Sequence, residues 1–125
     1  CPLFVPIVEE GWENSDVAYM TAKKYLLELK EHEIDTLVLG CTHYPVLRYT
    51  IDKVMEGKVT LVNPAYETAK AVKGILKEKN LFSSKLDGGE QRFYVSDDPE
   101  KFKRIGGNII RKEIVSIEKI DIEKI

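Results

Sequence analysis

The sequence predicts an α/β fold with a mainly parallel sheet flanked by helices, and three observations carry that prediction. Two short apolar runs, Thr36-Leu37-Val38-Leu39 and Val59-Thr60-Leu61-Val62, have the length and continuity of buried strands. Each leads into a proline that opens a helical stretch, Pro45 in one case and Pro64 in the other. Apolar residues between and beyond these runs recur at helical spacing. Strands alternating with helices imply parallel pairing, and function in such sheets gathers at the carboxyl ends of the strands. Cys41 and Asn63 would both lie there.

The elements follow in chain order. Residues 2–8 are apolar with a proline near each end, which argues for an extended loop or edge segment. Asn14-Ser15-Asp16 is a helix start, and Ala18, Ala22, Tyr25, Leu26 and Leu29 mark one helical face through about residue 33. A first buried strand is expected at 36–39 and a short helix at 46–55, closed by Gly57. The second strand, 59–62, runs into a helix begun by Asn63-Pro64, with Ala65, Ala69, Val72, Ile75 and Leu76 as its apolar stripe. Residues 83–90, with Gly88-Gly89, read as a loop. A third strand is expected over 92–96. Asp97-Asp98-Pro99 then begins a short helix carrying Phe102 and Ile105, which Gly106-Gly107 should end or break. Residues 114–117 are the last strand candidate. Ile-Glu-Lys-Ile occurs at 117–120 and again at 122–125, and two copies of a tetrapeptide do not make a solenoid.

The 125 residues suit one ordinary domain with a real core. Hydrophobic residues at 43% and charged residues at 32% are those of a soluble globular chain. No apolar run approaches the roughly 20 residues of a membrane-spanning helix, and no signal-peptide pattern is present. Two cysteines, Cys1 and Cys41, do not make a disulfide framework. A reducing, cytoplasmic setting is therefore expected, with no membrane partner. The net charge is −2, yet basic side chains outnumber acidic ones over residues 70–112. Those lysines are spread along helices with few interleaved aromatics, so solvated faces explain them better than nucleic-acid binding does.

Chemistry concentrates in Gly40-Cys41-Thr42-His43-Tyr44-Pro45, where a thiol, a hydroxyl and an imidazole crowd onto the turn after the first strand. The positive end of a following helix favours the thiolate form of a cysteine placed before it. A buried, inert cysteine is the bland alternative for Cys41, and the neighbouring Thr42 and His43 argue against it. Thr42 could cap the helix or bind a substrate carboxylate together with exposed backbone N–H groups. His32 lies among acidic residues at a helix end and reads as structural. Cys41 and His43 lack companions at metal-ligand spacing, so no metal is expected. Neither a Walker loop nor a Gly-x-Gly-x-x-Gly run is present.

The run Leu39-Gly40-Cys41-Thr42-His43-Tyr44-Pro45 resembles the second cysteine motif of the glutamate racemases. Cys1-Pro2-Leu3-Phe4-Val5-Pro6-Ile7-Val8-Glu9-Glu10-Gly11 is similar to a second stretch of that family, and Asn63-Pro64-Ala65-Tyr66-Glu67-Thr68-Ala69 to a third. Phe93-Tyr94-Val95-Ser96 with the following helix is a looser fourth. The resemblance implies a cofactor-independent racemase for free glutamate that supplies D-glutamate to peptidoglycan synthesis. In that family two cysteines face each other across the substrate: one thiolate removes the α-proton, and the other thiol protonates the opposite face. By the resemblance Cys41 is one of these acid/base cysteines and Thr42 binds substrate. His43 assists Cys41 and contributes to binding. Glu9 is the acidic residue on the same side of the site, with Glu10 as the adjacent alternative.

The family's N-terminal half, with its Asp-Ser-Gly-type motif and the partner cysteine in Cys-Asn-Thr, has no counterpart here. Cys1 aligns with a non-catalytic position. The resemblance therefore implies a C-terminal portion of a two-domain aspartate/glutamate racemase-like fold. Residues 1–90 would be the latter part of the second domain, carrying one catalytic cysteine, and residues 91–125 the segment that returns to the first. The missing N-terminal half would be a partner, and the chain alone is expected to be inactive. A homodimer is compatible with this reading and is specified by no residue.

Other classes remain open on the sequence. An aspartate racemase or related isomerase of the same superfamily is the near neighbour; the Cys-Thr-His-Tyr-Pro run and Val8-Glu9-Glu10-Gly11 favour glutamate. A thiol hydrolase would pair Cys41 with His43, but residues two apart rarely set an imidazole against a sulfur, and no orienting acid is evident. A non-catalytic domain holding a small carboxylate is the third.

Overall fold

The computed structural model describes residues 1–84, 89–110 and 112–124. The chain divides into two compact units, Cys1–Phe82 and Ser83–Ile125. Every strand pairing among the described residues is parallel, as an α/β fold with a parallel sheet requires.

The first unit begins with α1 (Phe4–Glu9), where an extended segment was expected. Pro6 falls in the first turn of this helix, where a main-chain N–H would have no intrahelical acceptor, so its proline ring removes nothing. Phe4, Ile7 and Val8 are all buried, at the i, i+3, i+4 spacing of one helical face. The second helix, α2 (Asp16–Glu31), starts where the sequence signal places it: the Ser15 hydroxyl accepts from the Ala18 N–H over 3.2 Å. Its buried residues are Ala18, Ala22 and Leu26. His32 is the C-cap residue, its N–H bonded to the Glu28 carbonyl.

Strand β1 (Thr36–Val38) pairs with β2 (Thr60–Val62) in the register Thr36↔Thr60, Leu37↔Leu61, Val38↔Val62. These strands are covered on one side only, whereas fully buried strands were expected. Leu37 and Leu61 pack against the core, while Thr36, Val38 and Thr60 on the opposite face are exposed. Leu39, two residues beyond Leu37 and on the same side, is buried.

The expected helix over 46–55 is instead a 3₁₀ turn, Tyr44–Leu47, followed by α3 (Arg48–Val54). Leu47, Ile51 and Val54 close the core from this side. The last helix of the unit, α4 (Pro64–Glu78), is capped by Asn63, whose side-chain oxygen accepts from the N–H groups of Ala65 and Tyr66. None of its residues is buried. Of the predicted stripe, Ala65, Ala69, Val72 and Ile75 lie exposed and Leu76 is half-buried.

The second unit pairs β3 (Phe93–Val95) with β4 (Ile117–Lys119), joined through α5 (Pro99–Ile110). Asp98 caps α5, its carboxylate accepting from the N–H groups of Glu100 and Lys101. Two expectations fail here. The helix runs through Gly106-Gly107 instead of ending there; a Cβ on Gly106 would lie 3.1 Å from the Ile114 side chain, so the glycine there answers a close approach and not a helix end. The last strand lies at 117–119, not 114–117, since Ile114 is 2% exposed and serves as a core residue of this unit. Of the predicted loop at 83–90, residues 85–88 lie outside the described residues.

Candidate active site

The sheet of the first unit ends in an unusually tight piece of main chain. Leu39 donates its N–H to the Val62 carbonyl over 2.9 Å and so continues the ladder past β1. Two successive three-residue turns follow: the Gly40 N–H bonds the Val38 carbonyl at 3.0 Å, and the Cys41 N–H bonds the Leu39 carbonyl at 2.9 Å. The thiol is thus set at the carboxyl end of β1 by backbone bonds. Cys41 is half-buried and a free thiol, as is the exposed Cys1.

The helix expected directly behind Cys41 does not begin there. Residues 44–47 form the 3₁₀ turn, and α3 starts at Arg48 with only seven residues. What surrounds the thiol is side chains. His43 Nδ1 lies 3.9 Å from Cys41 Sγ and 3.2 Å from Thr42 Oγ1. Nε2 of the same ring lies 3.6 Å from Glu9 Oε1 at the end of α1, an ion-pair contact longer than a direct hydrogen bond. His43 and Glu9 are both partly shielded from solvent, with side-chain exposures of 22% and 32%.

Cys41, Thr42, His43 and Glu9 are therefore brought into one cluster. Glu10 is the C-cap residue of α1 and is exposed. The resemblance alone named Glu9 for this side of the site, and the fold brings it to His43 from a distant helix. The missing signal was α1 itself, since only a helical turn there aims Glu9 at the ring. A thiol–imidazole–carboxylate line of this kind can accept and return a proton at sulfur, with Thr42 offering a hydroxyl beside it.

Among the described residues no group of three or more His, Cys, Asp or Glu side chains is arranged to hold a metal ion. No helix among them is long and apolar enough to cross a membrane. A shallow groove of about 440 Å³ lies in the second unit between β3 and α5, lined by Tyr94, Phe102, Ile105 and Ile109 among others. It holds no thiol or imidazole.

Known proteins point to one family. No protein-family model matches the chain. A glutamate racemase of Geobacter metallireducens is 42% identical over 123 residues, covering 98% of this chain and 46% of the relative. One from a Thermoanaerobacter species is 44% identical over 124 residues, covering 99% and 47%. Among solved structures, the glutamate racemase of Francisella tularensis in complex with D-glutamate superposes with a TM-score of 0.86 at 32% identity, covering 98% of this chain and 46% of that one. The Thermus thermophilus glutamate racemase in complex with β-chloro-D-alanine gives 0.85 at 33% identity, covering 100% and 47%. The chain spans about half the length of the curated relatives it matches. By sequence and by fold together, the chain is similar to about half of a glutamate racemase.

Proposed function

We propose that this chain is a C-terminal portion of a cofactor-independent glutamate racemase, and that Cys41 is one of its two acid/base thiols. The observation that carries the proposal is the Cys41–His43–Glu9 line at the carboxyl end of β1. In the proposed reaction one thiolate takes the α-proton of glutamate: the C–H bond breaks, an S–H bond forms, and the electron pair remains on carbon. The opposing thiol then gives its proton to the other face. Cys41 serves one face. The partner cysteine belongs to the part of the protein that precedes this chain. His43 moves protons to and from Cys41 and contributes to substrate binding, Thr42 hydrogen-bonds the substrate, and Glu9 fixes the charge and orientation of the imidazole. Residues 1–90 are taken as the latter part of one domain and residues 91–125 as the segment that returns to the other. The product would feed peptidoglycan synthesis in the cytoplasm.

The test is a fusion of this chain to the complementary part of the Geobacter metallireducens relative, assayed with L-glutamate in deuterated water. D-Glutamate carrying α-deuterium should appear, and Cys41→Ala should abolish it. A folded fusion that binds glutamate without exchanging its α-proton would sink the racemase reading in favour of a carboxylate-binding domain. The 125-residue chain alone should give neither product.

One observation favours a second reading. Glu9 behind His43 supplies the orienting acid that a thiol hydrolase needs. An acyl-enzyme trapped on Cys41 with activated esters, turned over by water, would support it.

A further inference from the structure

Phe4 sits at the opposite end of α1 from Glu9. Phe4 is 1% exposed, and its ring is held edge-on by two tyrosines. Tyr44, the first residue of the 3₁₀ turn after His43, lies at 5.4 Å between ring centroids with the planes at 89°. Tyr25 of α2 lies at 5.4 Å and 76°. Both are edge-to-face geometries, which add directional preference to burial. Both tyrosines also reach the chain just before α1: the Leu3 N–H donates to the Tyr25 hydroxyl over 3.3 Å, and the Tyr44 hydroxyl reaches the Cys1 carbonyl at 3.5 Å. Helix α1 is only six residues long and carries no side-chain cap, so it is placed by what its inner face touches.

We propose that Phe4, clamped between Tyr44 and Tyr25, is a positioning residue that selects the tautomer of His43. The clamp ties α1 to the turn that bears His43, which holds the Glu9 carboxylate near Nε2. A carboxylate there favours the ring proton on Nε2, and Nδ1 then keeps its lone pair. That lone pair faces Cys41 Sγ and Thr42 Oγ1, the two groups able to donate to it. Without the clamp, the proton is free to move to Nδ1, and the ring loses its acceptor on the side of the thiol. The proposal rests on Cys41 and His43 being the working site, yet its readout needs no turnover, so failure of racemisation and failure of the clamp are separate results.

The experiment is long-range ¹H–¹⁵N NMR of the 125-residue chain at alkaline pH, with the exposed His32 ring as internal reference. Wild-type His43 should show the Nε2–H form in clear excess over the ratio at His32. Glu9→Ala and Phe4→Leu should each move His43 toward the His32 ratio, and the double variant should move it no further than Glu9→Ala alone. Tyr44→Phe, which keeps the ring, should leave the ratio unchanged, while Tyr44→Leu should shift it. Val54→Ala, a core truncation away from α1, should leave it unchanged. Should Phe4→Leu unfold, Phe4→Met together with Tyr44→Leu carries the same comparison. A wild-type ratio retained in the Phe4 and Tyr44→Leu variants, or an equal shift in Val54→Ala, overturns the proposal, as does a wild-type ring without the Nε2–H excess.

Discussion

The hydroxyl of Thr50, in α3, donates to the main-chain carbonyl of Glu13 over 2.6 Å, tying the α1–α2 connection to a helix far along the chain. Thr50 is a buried polar residue at 8% exposure, so the bond has little competition from water. Thr50→Val keeps the shape, removes the donor and leaves the carbonyl unpaired. The expected loss is about 1–3 kcal/mol, seen as a lower urea midpoint with an unchanged slope.

Gly57 stops α3 with φ +66, immediately after Glu56 at φ +58. No described residue lies within 4 Å of a Cβ built on Gly57, so a methyl there meets no clash among them. Gly57→Ala should still lower stability by about 1 kcal/mol, because the left-handed backbone alone penalises it. A loss under a few tenths of that in equilibrium unfolding would mean that the turn relaxes.

Ile51 and Val72 both occupy apolar helical positions, with opposite environments. Ile51 is 1% exposed and Val72 is 48% exposed. Ile51→Ala should cost about 2–5 kcal/mol through lost burial and a cavity, while Val72→Ala should change stability by no more than about 0.5 kcal/mol. Thermal and urea unfolding of the two variants side by side would check the contrast.

Glu56 carries the electrostatic signature of the first unit. Hydrogen bonds from Lys30 and then Lys58 hold its carboxyl well below the ordinary carboxylate range, at about 2. A folded-state value below the unfolded one means that the group stabilises the fold above the unfolded pKa. That contribution declines as pH falls through the ordinary range and is gone below about 2. Side-chain carboxyl NMR should show Glu56 titrating well below the ordinary glutamate value. Lys30→Ala and Lys58→Ala should each raise it, as should high salt, since the site is open to solvent.

Local signals in the sequence carried far. Ser15, Asn63 and Asp98 announce helix starts, and each makes its capping bond. The apolar runs at 36–39 and 59–62 announce the paired strands. Position-dependent residues were harder to read. Pro6 argues against a strand and is harmless in a first helical turn, so α1 stayed hidden. Gly106 reads as a breaker, but its glycine makes room for Ile114, a partner no local window contains. Cys41, Thr42 and His43 stand together in the sequence, whereas Glu9 reaches His43 from the end of α1, a helix the sequence did not announce. Contacts between distant elements are set by packing, and periodicity does not report them.

Gly40 is shared by the two backbone turns, outside the left-handed region, and no described residue occupies the space where a Cβ would go. The fold of this chain therefore makes no demand for a glycine beside the thiol. A methyl added at that position becomes a feeler gauge: it costs the polypeptide little, and anything that must lie flat against the Cys41 main chain will meet it first. Spectroscopic or fluorinated reporters placed there would sense arrivals at the sulfur while leaving the strand in register.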